Sequence, residues 1–439
     1  MKVAVIGGGP AGCAAAYTLR KQGGEVLLFE RDNRLGGRSS QIRKEGFNLG
    51  TGALFMMGGI YPRTHAILKE LGHDKDVVPW KATTHVVDWD RQRYTTRFDK
   101  VLSFVQMPVF NIFDKLRIAV GVGKQLLSPG PKSLFDGAEL AKHDHGETLD
   151  TWSNRVLGKK GTNYLTLPYM GFLYAVPLEE QSTPLFQGVV QQFYKVSLQV
   201  PPEGMGQISE WMVEGTPGLD LRLSCAVEAV SARPGGGYTV TAGGQSHQVD
   251  AVVMAAEPGV AADLLQGIIP ATAAETLRSC RYSEYAHVQL CYKKNPWPNF
   301  PTDIALPATD LRNWGACVLL SRRHPNSVPP GGEAVGVYFY TPPLAEMSDE
   351  DIKREAWMAV TEVFGAAPDP DFIELFHYKR GLSISVPGHF ARLDSVHAQM
   401  PPGLTLAGDY FAHAGVEAAV LSGERAAHHL LDGRGDRKA

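Results

Sequence analysis

The chain has few cysteines and almost no net charge. Five cysteines are scattered among 439 residues without a CxxC pair, which argues against a disulfide framework and against a zinc or other metal site. Lysine and arginine total 43 against 46 acidic residues, and the formal net charge is only −3. No basic stripe stands out along the chain, so we expect no nucleic-acid partner.

Long apolar runs are also missing. No segment approaches the roughly 20 apolar residues that a membrane span needs. Residues 1–6 already read as a strand running into glycines, so we expect no signal peptide, and the predicted location is the cytoplasm. Segment 101–127 is nevertheless rich in large apolar side chains. One interpretation is a helical pair packed in a domain core. The other is an apolar substrate entrance or a peripheral membrane contact.

The bulk composition is that of a folded enzyme. Hydrophobic residues make up 44% of the chain and charged residues 20%, a balance typical of soluble globular proteins. A chain of 439 residues is too long for one ordinary core, so two or three domains are expected.

A glycine fingerprint follows the first predicted strand. Gly7, Gly9 and Gly12 fill the pattern G-x-G-x-x-G between that strand and an alanine-rich stretch typical of a helix. The first glycine makes a tight turn, the second lets backbone approach a pyrophosphate, and the third lets the helix pack closely on the strand. The helix N-terminus then offers unpaired N–H groups to the phosphates.

An acidic residue stands at the distance that this fingerprint requires. A second predicted strand, 25–29, ends at Glu30, whose carboxylate can accept hydrogen bonds from ribose hydroxyls. Strand, glycine turn, helix and acid together predict a dinucleotide site.

The next residues carry a family resemblance. Segment 31–40, RDNRLGGRSS, resembles the superfamily of flavin-containing amine oxidases, protoporphyrinogen oxidases and plant-type carotenoid desaturases, and segment 48–53, NLGTGA, is similar to their following motif. The resemblance implies FAD rather than NAD as the cofactor. The residues that it places against the pyrophosphate and flavin ring are Gly36, Gly37, Arg38, Gly52 and Ala53.

The resemblance continues to the C-terminus with gaps. A predicted strand at 404–406 leads into Gly408 and Asp409, and a helix is predicted from 415 onward. In the resembling families this aspartate bonds the ribityl chain, and the helix N-terminus points at the flavin O2/N1 edge, where positive potential stabilises the reduced anion. By the same resemblance Val416 lies at that helix start, and the backbone of Val227 meets adenine.

The expected architecture is α/β, a two-domain flavoprotein. A discontinuous Rossmann-like FAD-binding domain is predicted over 1–60, 202–285 and 396–439. An α+β substrate domain is predicted from a mostly helical part, 61–201, and a strand-bearing part, 286–395. No cysteine follows Cys317, so the resemblance implies FAD held without a C-terminal cysteinyl bond.

The resemblance to amine oxidases is incomplete at two positions. Aligning segment 292–297 with their Pro-x-Trp element puts His287 where they have a lysine near flavin N5. This histidine either holds a water or relays a proton, or is a strand histidine bonded to backbone. Val416 stands where many of them have a cage aromatic. A simple primary amine is therefore a disfavoured substrate.

Further side chains are candidates for substrate or flavin contact. Each has an alternative as a packing or surface residue, and Arg380 is also the expected anchor should the substrate carry a carboxylate. These candidates are Tyr169, Tyr174, Tyr378, Arg380, Tyr410 and His413.

The predicted function is that of an FAD-dependent oxidoreductase, an oxidase or desaturase. It would take a hydride from a C–N or C–C bond of a fairly apolar small molecule in a biosynthetic reaction, and oxygen or another acceptor would reoxidise the flavin. Two alternatives stay open: an amine or amino-acid oxidase that produces hydrogen peroxide, and a flavin-dependent double-bond isomerase without net redox.

Overall fold

The structure is a computed structural model that describes residues 1–88, 90–97, 100, 102–308, 313–340 and 342–432, excluding the side chains of residues 172–174, 342 and 343. Its strands in chain order are β1 (Lys2–Ile6), β2 (Glu25–Phe29), β3 (Gln41–Lys44), β4 (Phe47–Gly50), β5 (Met56–Gly58), β6 (Val78–Pro79), β7 (Thr83–Val87), β8 (Arg93–Arg97), β9 (Ser197–Val200), β10 (Asp220–Arg222), β11 (Val227–Ala232), β12 (Tyr238–Ala242), β13 (Gln245–Val249), β14 (Ala251–Met254), β15 (Tyr282–Tyr292), β16 (Ile304–Pro307), β17 (Ala316–Leu319), β18 (Glu333–Phe339), β19 (Phe372–Ser383) and β20 (Leu404–Leu406). Its helices are α1 (Pro10–Lys21), α2 (Pro62–Leu71), α3 (Leu102–Val105), α4 (Ile112–Leu127), α5 (Gly137–Ala141), α6 (Leu149–Val156), α7 (Gly158–Gly161), α8 (Leu167–Tyr174), α9 (Pro184–Gln192), α10 (Gln207–Glu214), α11 (Pro258–Leu264), α12 (Ala271–Arg278), α13 (Asp349–Phe364), α14 (His389–His397) and α15 (Val416–Asp432).

A five-stranded parallel sheet organises the first domain. Its strand order is β10-β2-β1-β14-β20, and β1 pairs in parallel with both β2 and β14. The central strands are apolar and buried from Val3 onward in β1 and throughout β14, as expected for a parallel sheet covered on both faces. Helices α1 and α15 pack on one face, and α11 and α12 share the core of the other. The predicted Rossmann-like domain is confirmed.

Helices α1 and α15 lie unusually close because a glycine stands at their contact. A Cβ built on Gly423 would be only 2.0 Å from the carbonyl oxygen of Ala11. The close packing joins the first and last segments of the chain on one face of the parallel sheet.

A seven-stranded mixed sheet organises the second domain, in the order β19-β15-β18-β17-β16-β7-β8. Helix α13 packs against one face over Val288, Val335 and Val337. The opposite face belongs to the core shared with the first domain and carries Tyr285 and Tyr338. This face is where a substrate domain would meet a cofactor domain.

The domain boundaries stay a prediction, and two features of the strands bear on them. Strand β15 begins at Tyr282, so a boundary after residue 285 would cut through a strand that pairs along its length with β19. The β7–β8 hairpin lies within 61–201, the part predicted as mostly helical. It extends the large sheet because β7 pairs with β16. That pairing joins segments far apart in sequence, which local pattern does not reveal.

The described part of segment 101–127, residues 102–127, contains helices α3 and α4, but these do not pack wholly into a core; residue 101 lies outside the described residues. Ile118 is buried, whereas a row of apolar side chains faces outward. The interpretation as a pair packed within a core is therefore wrong for this face. The exposed apolar residues are Leu102, Ile112, Phe113, Leu116, Val120, Leu126 and Leu127. Among the helices described, none is long and apolar enough to cross a membrane.

Candidate functional site

The carboxyl ends of four parallel strands converge at one edge of the first sheet. Gly7 follows β1 and its N–H donates to Phe29 O at 2.8 Å; Ala255 follows β14 and its N–H donates to Ile6 O at 2.8 Å. Gly408 stands two residues after β20. Ligands of open parallel sheets bind at this edge. The N-terminal fingerprint and the C-terminal motif therefore meet, as their order in the sequence requires.

The three fingerprint glycines are required for different reasons. Gly7 has φ +113°, and a Cβ there would lie 2.7 Å from Ala255 O. A Cβ on Gly12 would lie 1.8 Å from Gly7 O, whereas one on Gly9 would meet no protein atom within 4 Å. The protein itself therefore needs the first and third glycines. Space beside the second is left for something other than this chain.

The N-terminus of helix α1 has the features of an anion-binding site. Gly9 is its N-cap residue and supplies no side-chain cap, and Pro10 opens the helix. First-turn N–H groups without a cap carry partial positive charge and bind phosphate readily. Gly37 closes the opposite side, since a Cβ on it would lie 3.5 Å from the Cα of Gly9.

Glu30 is held rigidly at the end of β2. One carboxylate oxygen accepts from the Gly8 N–H at 2.6 Å and the other from the Asp32 N–H at 2.8 Å. Each carboxylate oxygen keeps lone pairs beyond these bonds. The geometry leaves the predicted ribose contact available.

Arg38 connects the second glycine pair to the C-terminal motif. Its Nη2 donates to Asp409 Oδ1 at 2.7 Å and its Nη1 to Gly381 O at 2.8 Å. Its carbonyl oxygen accepts from the Ala53 N–H at 3.3 Å, and a Cβ on Gly52 would approach that oxygen to 2.5 Å. The predicted flavin-contacting segments thus form one continuous surface.

Gln41, which begins β3 shortly after the second glycine pair, is a buried polar residue that sequence analysis missed. Neither atom of its side-chain amide has a hydrogen-bond partner among the described residues. It lies against the glycines of the loop before α10, since a Cβ on Gly204 would be 2.4 Å from its Oε1. An unpaired buried amide is costly, so a polar ligand here would relieve it. Open space, uncapped N–H groups and this amide together fit FAD.

The adenine end is less defined. Val227 is half-buried at the start of β11 and pairs with Ala242 beside a register shift. Its contact with adenine stays a prediction.

Helix α15 is attached to helix α2 by hydrogen bonds that the sequence does not indicate. Val416, at its first position, is buried. The carboxylate of its neighbour Glu417 accepts from the N–H groups of Arg63 and Thr64 at 2.7 and 2.8 Å, and from Thr64 Oγ1 at 2.6 Å. Glu417 therefore caps helix α2, and burial raises the pKa of this carboxyl. The cap fixes the helix end that is predicted to face the flavin.

His287 lies on β15 at the boundary between the two domains. It is only 1% exposed, and its ring stacks on Tyr338 with centroids 4.0 Å apart. It contacts the backbone of Gly50 and Thr51, and burial lowers its pKa well below the ordinary value. Its Nε2 has no partner among the described residues. The ring is neutral near pH 7, with one nitrogen still able to bond a ligand or water.

Tyr378 lies on the same sheet face. It is opposite Tyr285 in the β15–β19 register and bonds the side chain of Thr51. The Tyr285 hydroxyl donates to Gly52 O at 3.3 Å. His287 and Tyr378 are thus brought together against the segment predicted to pass the flavin ring.

The other candidates have different surroundings. Arg380 forms an ion pair with Glu257, so the expected carboxylate anchor already has a protein partner. Tyr410 is buried within the first domain's core beside Phe411. His413 Nε2 contacts Leu134 O at 2.7 Å, and burial lowers the pKa of its ring to about 4.

Tyr169 and Tyr174 come from helix α8. Tyr169 is buried and its hydroxyl bonds Thr96 Oγ1, so it joins the helical part to the large sheet. The side chain of Tyr174 lies outside the described residues. Catalytic roles for these side chains and for those on the other segments stay predictions.

A family comparison covers nearly the whole chain. The model of the family described as "Flavin containing amine oxidoreductase" matches residues 10–431. This range begins at Pro10, the first residue of helix α1. It therefore contains Gly12 of the fingerprint and the whole C-terminal motif.

Individual relatives are similar over different extents. A 4,4'-diapophytoene desaturase (4,4'-diaponeurosporene-forming) of Staphylococcus aureus is 48% identical over 62 residues, 14% of this chain and only 12% of that protein. A putative protoporphyrinogen oxidase from Exiguobacterium sp. 255-15 superposes with a TM-score of 0.76 at 18% identity, covering 98% of each chain. Cyclohexylamine oxidase from Brevibacterium oxydans gives 0.72 at 17% identity, with 99% of each chain covered. The structural likenesses concern the fold.

Proposed function

We propose that the substrate of this protein is a mostly apolar small molecule. The proposal starts from the family: the chain belongs to the flavin containing amine oxidoreductases and is an FAD-dependent oxidoreductase. A C–N or C–C bond of that molecule is oxidised, as a desaturase or non-amine oxidase would do. Bound FAD supplies the hydride acceptor. The named function of the short desaturase match agrees with this proposal.

The observation that carries the proposal is the aromatic surface around His287. Tyr285, Tyr338 and Tyr340 lie on the same side of the large sheet, and burial raises the pKa of each hydroxyl. These tyrosines are therefore neutral over the physiological range. Aromatic walls of this kind fit the apolar body of a substrate.

The residues of this chain have distinct tasks under this proposal. The fingerprint turn and the start of α1 would hold the pyrophosphate, and the pair of Arg38 and Asp409 fixes two segments that are predicted to contact the flavin. His287 Nε2, which has no partner among the described residues, orients a substrate group or a water molecule. The low pKa of this ring favours its neutral form, so it can accept a hydrogen bond at pH 7.

Anaerobic flavin reduction tests the proposal. Stopped-flow absorbance would follow the holoenzyme mixed with amines, amino acids, porphyrinogens or polyenes, before air is admitted. We expect bleaching of the flavin band with an apolar non-amine and none with a primary amine. Recovery in air then reports whether oxygen is the acceptor.

The same experiment separates the alternatives. Bleaching by an amine with fast recovery and hydrogen peroxide would contradict the proposal and indicate an amine oxidase. Double-bond migration that needs reduced flavin, with no acceptor consumed, would indicate an isomerase.

The outward side of α3 and α4 supports a second proposal, that this cytoplasmic enzyme touches a membrane surface where apolar substrates dissolve. We define the α4 patch as Leu102, Ile112, Phe113, Leu116, Val120, Leu126 and Leu127. Phe113 is 77% exposed and Leu127 90%. An apolar row on one helix side, accompanied by exposed Lys124, is typical of interfacial helices.

Replacing Phe113 and Leu116 by aspartate should weaken this contact. We expect the double variant to bind anionic phospholipid vesicles about tenfold more weakly, since two apolar anchors are lost and two negative charges added. Vesicle co-sedimentation measures this, with Met358→Asp on helix α13 as the exposed apolar control. Equal vesicle binding by wild type and double variant would refute the proposal.

A further inference from the structure

Arg323 is a buried cation on the second domain. It follows the short 3₁₀ turn Leu320–Arg322 and is only 2% exposed. Its Nη1 donates to the Tyr338 hydroxyl at 3.3 Å, and its Nε has no hydrogen-bond partner among the described residues. A guanidinium carries five donors, so the unpaired Nε leaves this side chain with hydrogen-bonding capacity for a further acceptor.

No carboxylate within the described ranges forms a salt bridge with Arg323. Its chain neighbour shows the ordinary alternative: Arg322 pairs with Asp303 at 3.4 Å and donates to backbone carbonyls of the loop 297–302. The nearby buried acid Glu333 accepts instead from Ser321 and the Ala334 N–H. A buried charge without a counter-ion is expensive, and such a cost is retained where a ligand supplies the opposite charge.

The position of Arg323 connects it to the candidate site. Its partner Tyr338 lies opposite His287 in the β15–β18 register and stacks on that ring. His287 in turn contacts Gly50 and Thr51, in the segment predicted to pass the flavin. One residue, Tyr338, therefore contacts both the Arg323 guanidinium and the His287 ring. Arg380, the anchor expected from sequence, is instead paired with Glu257.

We infer that Arg323 binds an anionic group, a carboxylate, on the substrate. This inference rests on the proposed function and deepens it: the substrate has an apolar body over the aromatic surface and a carboxylate at one end. A carboxylate accepts two parallel hydrogen bonds from a guanidinium and neutralises it. The anchor would then set which bond of the apolar body lies over the cofactor.

Two isosteric probes test the inference. Phenylacetate and phenylacetamide differ in charge but hardly in shape, and titration into the holoenzyme is followed by the flavin difference spectrum and by thermal shift. We expect phenylacetate to bind and Arg323→Gln to weaken its binding about 20-fold, because a charge-assisted pair is lost, while phenylacetamide affinity stays unchanged. Arg323→Lys keeps the charge and should recover part of the loss. Arg322→Gln is the matched control and should leave phenylacetate affinity unaltered.

The outcomes separate the two proposals. Equal phenylacetate affinity in wild type and Arg323→Gln, or equal losses for the acid and the amide, would overturn the anion site. Should Arg323→Gln fail to fold, no thermal shift of the wild type by phenylacetate, or equal shifts by phenylacetate and phenylacetamide, would overturn it equally. A selective thermal shift by phenylacetate in a protein that binds no FAD would support the anion site and refute the flavin function.

Discussion

Gly9→Ala should give a folded protein that has lost most of its affinity for FAD. Gly9 has φ −73°, so alanine fits its backbone without strain, and the new methyl would meet no protein atom within 4 Å. It would occupy the space through which backbone approaches the pyrophosphate. We expect the dissociation constant for FAD to rise about 100-fold, which is about 2.7 kcal/mol.

Titration of the apoprotein with FAD, followed by quenching of flavin fluorescence, measures this affinity, and circular dichroism reports the fold. Two glycines provide matched controls. Gly12→Ala would force a methyl to 1.8 Å from Gly7 O, so it should destabilise the fold itself by about 3 kcal/mol. Gly123→Ala, in open space on α4, should change neither property. Wild-type FAD affinity in Gly9→Ala would show that no pyrophosphate lies there.

Glu417→Ala should destabilise the folded protein by about 3 kcal/mol at pH 7, because it leaves buried donors without acceptors. The N–H groups of Arg63 and Thr64 and the Thr64 hydroxyl all donate to this one carboxylate. Helix α2 would lose its cap and α15 its attachment. Urea midpoints followed by tryptophan fluorescence measure the loss. A midpoint within error of wild type would show that the cap contributes nothing.

Glu417→Gln separates charge from shape through its pH dependence. Burial raises the pKa of Glu417 in the folded state, so the folded protein holds this proton more tightly than the unfolded chain. The associated stability is fully present below the unfolded carboxyl pKa of about 4.3 and is lost as pH rises through the higher folded pKa. The stability of wild type relative to Glu417→Gln should therefore fall as pH rises from about 4, the unfolded carboxyl range. A difference that grows with pH would contradict this sign.

Local spacing was sufficient to predict the strand, glycine turn and helix that open the parallel sheet. Gly7, Gly9 and Gly12 stand at a strand-to-helix turn, and Glu30 ends the next strand, so their roles follow from the geometry of a single βαβ unit. The C-terminal strand and helix were predicted from local pattern, and their role near the cofactor from the family resemblance. Parallel strands present their carboxyl ends at one edge, and the two motifs therefore had to meet there.

The large sheet was harder to predict because its pairings are distant. Strand β7 joins β16 across more than half the chain, and the sequence of β7 does not indicate which strand will be its neighbour. The exposure of the α4 patch was likewise decided by which surfaces other elements cover. Apolar content alone describes a core helix and an interfacial helix equally well.

Charged residues show most clearly what the sequence determines and what only the tertiary structure decides. Arg322 and Arg323 are adjacent and chemically identical in the sequence, yet one pairs with Asp303 and the other has no carboxylate within reach among the described residues. Arg38 finds Asp409 across 371 positions, and Arg380 finds Glu257. By itself the sequence determined the dinucleotide fold and the position of its cofactor motifs, because these depend on short-range spacing. Tertiary structure alone decided which charges are neutralised and which remain for a ligand, because electrostatic pairing depends on distance in space.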